Sequence, residues 1–445
     1  MTRFVRTDID PPVALLTIDN PPVNALTAGV WADIDAAVSA AAADPAVGAI
    51  VLIGGGTRFV AGADIRLFDQ IQTSDDAMSR SAAIHAILRR IEDTPKPVIA
   101  AIHGQALGGG LELAMACHFR LAAADAELGL PEVRLGLIPG AGGTQRLPRL
   151  CGPELALRLC TGGTPMRAAE AHSVGLVDRL VGVETGKNGR DLRQYARQFA
   201  REVATRAEVR RTRDIAIDRA AVETGRRACE ATRAALTTSA RGTQAPLAVV
   251  DAIEAALAMG FDEGSVRERE IFATRVLSLE SRALRHLFFA ERAAARLPVS
   301  VTSVPPVEIR SAAVVGAGTM GAGIAMTYAN AGIPVLVKEV DEAALVRGME
   351  TIRRTYDSAV TRKRIDAAER DRRLALITPT TVFDEFAATD IVVEAVFEDL
   401  ALKRQVFAEL GRVTRPTCIL ATNTSTLDVD AIAAACGRPS RVVGH

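Results

Sequence analysis

The sequence predicts an α/β protein built from two successive α/β domains with a helical segment between them. In residues 1–186, short apolar runs that end in turn residues alternate with Ala-rich helical stretches, a pattern typical of strands and helices packed in layers. Residues 187–296 are rich in Arg and Ala and contain few strand-like runs, which indicates helices. Prolines in residues 297–306 break this pattern and predict a linker, after which strands and helices alternate again.

The composition argues against several classes of protein. A chain of 445 residues exceeds the size at which one core usually keeps growing, so two or three domains are expected. Lys plus Arg and Asp plus Glu both number 53, and this zero net charge gives no reason to expect a nucleic acid as partner. The sequence shows no signal peptide, no apolar run of membrane-spanning length and no disulfide or metal spacing among its six cysteines. A cytoplasmic protein without a membrane span or a metal site is predicted.

The first domain is predicted to begin with buried strands separated by helices. Short apolar runs bounded by turn residues are typical of buried strands, and Pro95 and Pro97 are expected to end the second helix. The predicted strands are residues 13–18, 49–53 and 97–102, and the predicted helices are residues 25–43 and 77–93.

A glycine triplet precedes the first candidate catalytic residue. Residues 108–110 are Gly-Gly-Gly, placed after a predicted strand and before an apolar helical run, so backbone N–H groups there are free to approach a ligand. Glu112 follows in the first helical turn, where a carboxylate is favoured by the helix dipole alone. Surrounded by apolar residues, it would also have the raised pKa that proton transfer near neutral pH needs. Glu132, after Pro131, is open to both interpretations, as a helix-start residue or as a second catalytic carboxylate.

These segments together resemble the enoyl-CoA hydratase/isomerase (crotonase) superfamily, in order and spacing, over about residues 13–181. The matching segments are AGADI at residues 61–65, GGGLE at 108–112, Glu132 in LPEV, GLIPGAGGTQRL at 136–147 and GLVD at 175–178. The resemblance implies a crotonase fold, a ClpP-like spiral of ββα units.

The resemblance also implies roles for individual residues. Ala61 and Ala63 would belong to the substrate-binding strip, and the N–H groups of Ala63 and Gly109 would form an oxyanion hole for the thioester oxygen. By analogy with the family's hydratases, Glu112 would activate the water that adds at C3 and Glu132 would deliver a proton to C2. The same pair would also suit isomerisation of 3-enoyl to 2-enoyl thioesters. Asp64 is expected to be a helix cap.

A second set of glycines lies in the last third of the chain. Residues 312–315 read as a buried strand, and Gly316-Ala317-Gly318-Thr319-Met320-Gly321 then opens a helical stretch. Glu339 ends the next predicted strand about twenty residues later, where the ribose-binding acid of an NAD site belongs. An acid at this position favours NAD over NADP. Asp341 is a competing candidate.

Residues 391–403 and 421–427 resemble the L-3-hydroxyacyl-CoA dehydrogenase family, which implies a Rossmann domain. Ser425 would lie by the nicotinamide and the substrate hydroxyl, and His445 would be the catalytic base. Because the segment that follows this histidine in the family is not in the sequence, NAD binding with little oxidation is expected. The predicted cofactor-binding residues are Gly316, Gly318, Met320, Gly321, Glu339, Glu398, Lys403 and Ser425.

The combination resembles the multifunctional enzymes of fatty-acid β-oxidation, because residues 280–292 are similar to the helix that joins the two modules there. This implies acyl-CoA substrates, NAD as cofactor and a thiolase subunit as a partner. Two other functions stay open, a non-catalytic acyl-CoA-binding or assembly subunit and a crotonase-superfamily enzyme of different chemistry. The predicted domains are residues 1–186, a helical region 187–296, a linker 297–306 and an NAD-binding domain 307–445.

Overall fold

A computed structural model describes residues 4–182, 190–206, 209–239, 242–296, 305–362 and 364–445. The chain forms two compact units, Met1–Leu297 and Pro298–His445. The predicted boundary at residue 186 and most of the predicted linker, residues 297–304, lie outside the described residues. The subdivision of the first unit therefore stays a prediction.

The first unit contains nine strands and eleven α-helices in its described residues. The strands are β1 (Val5–Asp10), β2 (Val13–Ile18), β3 (Ala49–Gly54), β4 (Val98–Ile102), β5 (Gln105–Leu107), β6 (Phe119–Ala123), β7 (Glu127–Gly129), β8 (Met166–Arg167) and β9 (Arg179–Val181). The helices are α1 (Ala28–Ala43), α2 (Ser74–Asp93), α3 (Gly109–Ala116), α4 (Gly143–Cys151), α5 (Pro153–Gly162), α6 (Ala168–Ser173), α7 (Arg190–Arg206), α8 (Arg219–Ser239), α9 (Ala245–Ala258), α10 (Phe261–Val276) and α11 (Leu279–Ala294). Short 3-10 turns span Ile65–Gln70, Glu132–Leu135 and Thr212–Asp214.

A six-stranded sheet forms the centre of the first unit, in the order β1-β2-β3-β4-β6-β9. Only the β1–β2 pair is antiparallel. Strand β2 is buried along its whole length because both faces of the sheet are covered: Leu16 belongs to one core cluster, and its neighbour Leu15 belongs to another that includes residues of α7. This explains why the strands read as continuous apolar runs.

A smaller sheet in the order β5-β7-β8 continues from the central one. Helix α3 begins two residues after β5 ends, so the start of α3 lies at the edge of this second sheet. Helices α9 and α10 share the core cluster of α3 and the central sheet, as Val249 and Phe272 show. Helices after residue 187 therefore complete the core of the first unit.

The second unit has a parallel sheet in the order β12-β11-β10-β13-β14-β15 with helices on both faces. Its strands are β10 (Ala312–Val315), β11 (Val335–Lys338), β12 (Ile377–Thr380), β13 (Ile391–Glu394), β14 (Ile419–Thr422) and β15 (Val442–Gly444). Its helices are α12 (Thr319–Asn330), α13 (Glu342–Thr361), α14 (Ala367–Leu374), α15 (Leu400–Val413) and α16 (Val429–Ala433), with 3-10 turns at Asp384–Ala388, Ala434–Cys436 and Pro439–Arg441. The strand order is that of a dinucleotide-binding Rossmann fold, with the switch in direction beside β10. Among the described residues, no helix is long and apolar enough to cross a bilayer.

Candidate functional site

A cavity of about 920 Å³ opens in the first unit, and both predicted catalytic carboxylates line it. Its walls come from the 3-10 turn Ile65–Gln70, from helices α2, α3 and α11, and from the segment that follows β7. Most of the lining is apolar, with side chains such as Phe68 and Leu284. A largely apolar pocket with a few polar groups is the usual form of a small-molecule site.

Glu112 lies in the first turn of α3 and is 3% exposed. Its Oε1 atom accepts hydrogen bonds from the backbone N–H groups of Ala141 and Gly143, both at 2.8 Å. Burial and the negative charge of Glu268 raise the pKa of Glu112 to about 8, although the two N–H donors oppose this shift. Glu112 is thus a buried carboxyl with a near-neutral pKa and a fixed orientation.

Glu132 begins the 3-10 turn Glu132–Leu135, directly after Pro131. Its Oε2 atom is buried and has no hydrogen-bond partner in the described part of the chain. A Cβ atom on Gly108 would lie 2.9 Å from Glu132 Oε1, so the glycine leaves room for this carboxyl. Burial first, and then the charge of Glu112, raises the pKa of Glu132 well above its ordinary value.

The glycine triplet lets the backbone turn sharply between β5 and α3. Gly108 has φ +53°, in the left-handed region that glycine tolerates best. Gly110 packs so closely on the preceding chain that a Cβ atom there would lie 2.3 Å from the Val60 carbonyl oxygen. The triplet therefore brings the start of α3 against the segment that holds Ala61 and Ala63.

The two predicted oxyanion-hole amides lie together beside Glu112. A Cβ atom on Gly109 would lie 3.9 Å from the Ala63 nitrogen and 4.0 Å from Glu112 Oε2. Within the residues that the structure describes, neither the Ala63 nor the Gly109 N–H group donates a hydrogen bond. The Ala61 amide differs, because it donates to the Val23 carbonyl at 3.1 Å, so Ala61 contributes to the site as part of the cavity wall. Two free amides near two buried carboxyls suit a substrate with a polarisable carbonyl.

Sequence reasoning missed Glu268 of α10, a fully buried carboxyl close to Glu112. Its partners are in residues 140–144, here called the amide loop. The Gly142 N–H donates to Glu268 Oε1 at 2.6 Å and the Thr144 N–H donates to Glu268 Oε2 at 3.0 Å. Residues 136–147 carried the family resemblance, but nothing in that segment indicated which distant residue holds it.

Asp64 is a cap, as expected. Its carboxylate accepts the Arg66 N–H at 3.1 Å at the start of the turn Ile65–Gln70 and also pairs with the Arg66 guanidinium. That side-chain contact keeps the pKa of Asp64 below its usual value. Asp64 is therefore engaged locally and leaves the proton chemistry to other residues.

In the second unit, the predicted glycines fit a pyrophosphate. Gly316 has φ +100°, and a Cβ atom there would lie 2.6 Å from the Ala395 carbonyl oxygen, while one on Gly321 would lie 1.8 Å from the Gly316 carbonyl oxygen. A Cβ atom on Gly318 would meet nothing within 4 Å. Gly318 precedes α12, whose first residues include Met320, and the backbone N–H groups there suit an anion. Two glycines thus serve close packing, and the third leaves open space for a ligand.

Glu339 follows β11 and lies against the glycine turn. Its Oε1 atom accepts the Ala317 N–H at 2.6 Å, which places the carboxylate beside the predicted phosphate site. Asp341, the competing candidate, instead caps α13 by accepting the Ala344 N–H at 2.7 Å. The geometry favours Glu339 as the ribose-binding acid.

Three further predicted residues, Glu398, Ser425 and Lys403, meet at the carboxyl ends of β13 and β14. Lys403 reaches this place from α15. Lys403 is fully buried, and its Nζ atom donates to Glu394 Oε1 at 2.7 Å and lies 3.5 Å from Glu398 Oε2. Glu398 also accepts the Ser425 N–H at 3.1 Å. Its bond from the Thr424 hydroxyl is the main reason that the pKa of Glu398 is lowered. The three predicted residues therefore form one connected cluster.

His445 lies at the end of β15, beside the end of β14. Its backbone N–H donates to the Thr422 carbonyl at 2.9 Å. This pairing places His445 next to the strand that leads to Ser425. The role of its imidazole in catalysis stays a prediction.

Comparison with known families identifies the family of each of the two units. The enoyl-CoA hydratase/isomerase family matches residues 8–241, just over half of the 445 residues. The chain belongs to this family. The NAD-binding domain of 3-hydroxyacyl-CoA dehydrogenase matches residues 311–445. The predicted fold, a crotonase domain and a helical segment followed by a Rossmann NAD-binding domain, is confirmed, and so is NAD as the cofactor of that domain.

Relatives of this hydratase/isomerase family member include proteins with both modules. The peroxisomal bifunctional enzyme of Danio rerio is 41% identical over 97% of the chain and 58% of the relative. The peroxisomal fatty acid beta-oxidation multifunctional protein AIM1 of Arabidopsis thaliana is 37% identical, over 97% and 60%. The fatty acid oxidation complex subunit alpha of Shewanella amazonensis is 37% identical, over 98% and 62%. The chain thus spans about three-fifths of the length of these relatives.

The raised pKa of Glu112 predicts a pH-dependent effect of Glu112→Gln on stability. The folded-state pKa of about 8 lies above the ordinary value of 4.5. Between these two pH values Glu112 is ionised in the unfolded chain but still protonated in the native protein, so the native protein loses stability as pH rises through this interval. The Gln side chain keeps an oxygen for the Ala141 and Gly143 N–H groups but carries no charge. The melting temperature of the variant should match that of the wild type at about pH 4. It should exceed the wild-type value by a margin that grows with pH and levels off just above the folded-state pKa of about 8.

Calorimetry over this pH range checks the expectation. The control is Glu270→Gln on α10, where an exposed carboxylate pairs with Arg267 at 2.8 Å. A melting-temperature difference between wild type and Glu112→Gln that does not grow with pH would show that Glu112 ionises normally.

Proposed function

We propose that the first unit adds water in the syn sense to trans-2-enoyl-CoA thioesters and forms L-3-hydroxyacyl-CoA. The observation that supports this most is the cavity in which the free Ala63 and Gly109 amides lie beside two buried carboxyls, Glu112 and Glu132. Addition of water to an enoyl thioester requires three features: charge stabilisation at the carbonyl oxygen, a base for water and an acid for C2. The cavity offers groups for all three.

The two amides would hold the thioester oxygen. As water adds at C3, negative charge moves onto this oxygen to give an enolate, and preorganised N–H donors stabilise that charge without reorganisation. Removing one such donor typically costs about 3 kcal/mol of barrier. Because Ala63 and Gly109 have no other acceptor among the described residues, their N–H groups are available for this role.

The hydrogen bonds of the two carboxyls support the predicted division of labour. Glu112 accepts two backbone N–H groups, which favour its ionised form, so it suits the base that takes a proton from water. Glu132 has a buried oxygen without a partner in the described residues, and its pKa is raised well above normal, so it suits the acid. Hydroxide equivalent is added at C3 and the Glu132 proton at C2. Exchange with solvent then restores both carboxyls.

Two alternatives are less well supported. A non-catalytic acyl-CoA-binding or assembly subunit has no need of two buried carboxyls whose ionisation is costly. Other crotonase chemistry, including movement of a double bond between C3 and C2, uses the same oxyanion hole and a carboxylate that reaches C2 and C4. The presence of both Glu112 and Glu132 in one cavity favours hydration over reactions that need a single carboxylate.

For the second unit we propose NAD binding in service of 3-hydroxyacyl-CoA oxidation, the reaction that would use the hydratase product. NAD supplies the hydride acceptor when bound. The N-terminal amides of α12 would hold its pyrophosphate, Glu339 its ribose, and Glu398 and Lys403 would position Ser425 near its reactive end. His445 would accept the hydroxyl proton.

At the level of the whole protein, the names of the relatives support a role in fatty-acid β-oxidation. A thiolase partner and a cytoplasmic location stay predictions from sequence, as do the domain limits at residues 186 and 307. The expectation of little oxidation by these 445 residues also stays a prediction.

Substitution of either carboxyl by the isosteric amide tests hydration. Glu112→Gln and Glu132→Gln should each lower kcat for crotonyl-CoA hydration by about 10²- to 10⁴-fold, because each removes one proton-transfer group while leaving the amides in place. The loss of enoyl-thioester absorbance measures the rate. Glu270→Gln should keep wild-type kcat. Hydration that survives both cavity substitutions would exclude the proposed mechanism.

Glu339→Gln tests the cofactor site. The variant keeps an acceptor for the Ala317 N–H and loses the charge that would bind the ribose hydroxyls, so NAD affinity should fall roughly 10- to 100-fold. Asp341→Asn is the matched control, because Asn also caps helices, and it should leave affinity unchanged. Titration calorimetry with NAD decides, and a larger loss in Asp341→Asn than in Glu339→Gln would reverse the assignment.

A further inference from the structure

Glu268 is a fully buried carboxyl that the proposed hydration mechanism does not use. It lies on α10, one turn before Ile271 and Phe272, which pack in the core of the first unit. A buried carboxylate is costly unless donors surround it. The donors around Glu268 are therefore the first indication of its role.

Four consecutive amides of the amide loop are shared alternately between two carboxyls. The N–H groups of Ala141 and Gly143 donate to Glu112, whereas those of Gly142 and Thr144 donate to Glu268. All four distances lie between 2.6 and 3.0 Å. The loop is thus a single layer of backbone between the two side chains, and a displacement toward one carboxyl would weaken its bonds to the other.

The geometry of the amide loop depends on its glycines. Gly142 has φ +94°, a backbone conformation that other residues rarely adopt. A Cβ atom on Gly143 would lie only 2.9 Å from Glu112 Oε1. The alternate donation therefore needs these two residues as they stand, and the loop has little freedom to rearrange around a different acceptor.

Other side chains also form hydrogen bonds with the amide loop, but none of those described below is negatively charged. The Ser81 hydroxyl donates to the Gly140 carbonyl at 2.6 Å, and the Arg146 guanidinium donates to the Ala141 carbonyl at 3.2 Å. The Thr144 hydroxyl also donates to Glu268. His85 of α2 lies 3.5 Å from Glu268 Oε1. Among the described groups that contact the loop, Glu268 alone is an acidic side chain that accepts loop amides on the side away from Glu112.

We propose that Glu268 is a positioning residue for hydration, which holds the amide loop so that the Ala141 and Gly143 N–H groups stay on Glu112. This inference rests on the proposed function of Glu112. The alternative is that Glu268 is only a structural acceptor for the start of α4. The two differ in their effect on catalysis, because loss of a merely structural acceptor would lower stability and leave kcat unchanged, whereas loss of a positioning residue would lower kcat and change the pH profile that Glu112 sets.

The charges around Glu112 make this difference measurable. After burial, the negative charge of Glu268 is the main cause that raises the pKa of Glu112, and the two N–H donors and Arg146 each oppose it less strongly. Two further acidic groups lie nearby: Glu92 pairs with Arg146 at 2.6 Å, and Glu132 lines the same cavity as Glu112. Burial, and then the charges of Glu112 and Glu268, raise the pKa of Glu132. His85 on α2 also faces Glu268, with its Nε2 atom 3.5 Å from Glu268 Oε1. Removal of the Glu268 charge should therefore lower the pKa of Glu112.

The decisive variant is Glu268→Gln, compared with the wild type by kcat and KM for crotonyl-CoA hydration across pH. Gln has one acceptor atom in place of two, so it can serve Gly142 or Thr144 but not both, and kcat should fall about 10-fold with KM within about 2-fold. The rising limb of the wild-type profile should have its midpoint near 8. In the variant that midpoint should move to lower pH by about one unit.

Two control variants separate the effect of the Glu268 charge from the effect of a less rigid amide loop. Ser81→Ala removes a neutral contact of the same loop and should leave the midpoint unchanged. Glu270→Gln removes an exposed carboxylate from the same helix and should leave both kcat and the midpoint unchanged. A Glu268→Gln variant with wild-type kcat, or with the wild-type midpoint, would overturn the proposal and leave Glu268 as a structural acceptor.

A second readout needs no catalysis. The pH at which the gain in melting temperature of Glu112→Gln over its parent levels off reports the folded-state pKa of Glu112, and in the Glu268→Gln background this gain should level off at a lower pH. If the wild type fails to hydrate, the proposed function fails, and the melting comparison still decides the role of Glu268. Should Glu268→Gln not fold, Glu268→Asp keeps the charge on a shorter side chain. It should lower kcat and keep the wild-type midpoint, and unchanged kcat would contradict the proposal.

Discussion

The first unit depends on one interaction, the donation of the Ala141 and Gly143 amides to the buried carboxyl of Glu112. Without it, the carboxyl would have no fixed orientation in the apolar cavity and would lose the two hydrogen bonds that favour its charged form. With it, the pKa is raised only to about 8 and one oxygen is held in place. The other oxygen, Oε2, lies 4.0 Å from a Cβ position on Gly109 and thus close to the oxyanion-hole amides.

The surrounding fold serves to bring distant backbone segments to this point. The strand β5 leads into Gly108 and α3, and the isolated pairing of Val60 with Ala106 and of Leu26 with Ala63 brings the first amide strip alongside. The amide loop comes from farther along the chain and is supported by α10. Both faces of the central sheet are covered by packed side chains. The cavity therefore lies beyond the sheet, where the segments that follow its strands meet.

Local sequence predicted the fold, and the family resemblance singled out the two main carboxyls, but neither predicted the residues that support them. Continuous apolar runs indicated the strands, and the glycine triplet indicated where amides would be free. Glu268, in contrast, lies in the stretch Val-Arg-Glu-Arg-Glu-Ile, which reads as an exposed charged helix face. Its contact with Gly142 spans 126 residues, and no local pattern encodes such a pairing. The sequence likewise left Asp341 as a competitor of Glu339, because its pattern did not reveal that Asp341 caps α13.

Hydration of crotonyl-CoA in D₂O, followed by NMR of the product, tests the central claim most directly. A base and an acid on one side of the bound thioester, Glu112 for water and Glu132 for C2, require syn addition. The account predicts 3-hydroxybutanoyl-CoA with a single deuterium at C2, on the same face as the new hydroxyl at C3. Anti addition, or deuterium exchange without a new C3 oxygen bond, would contradict it.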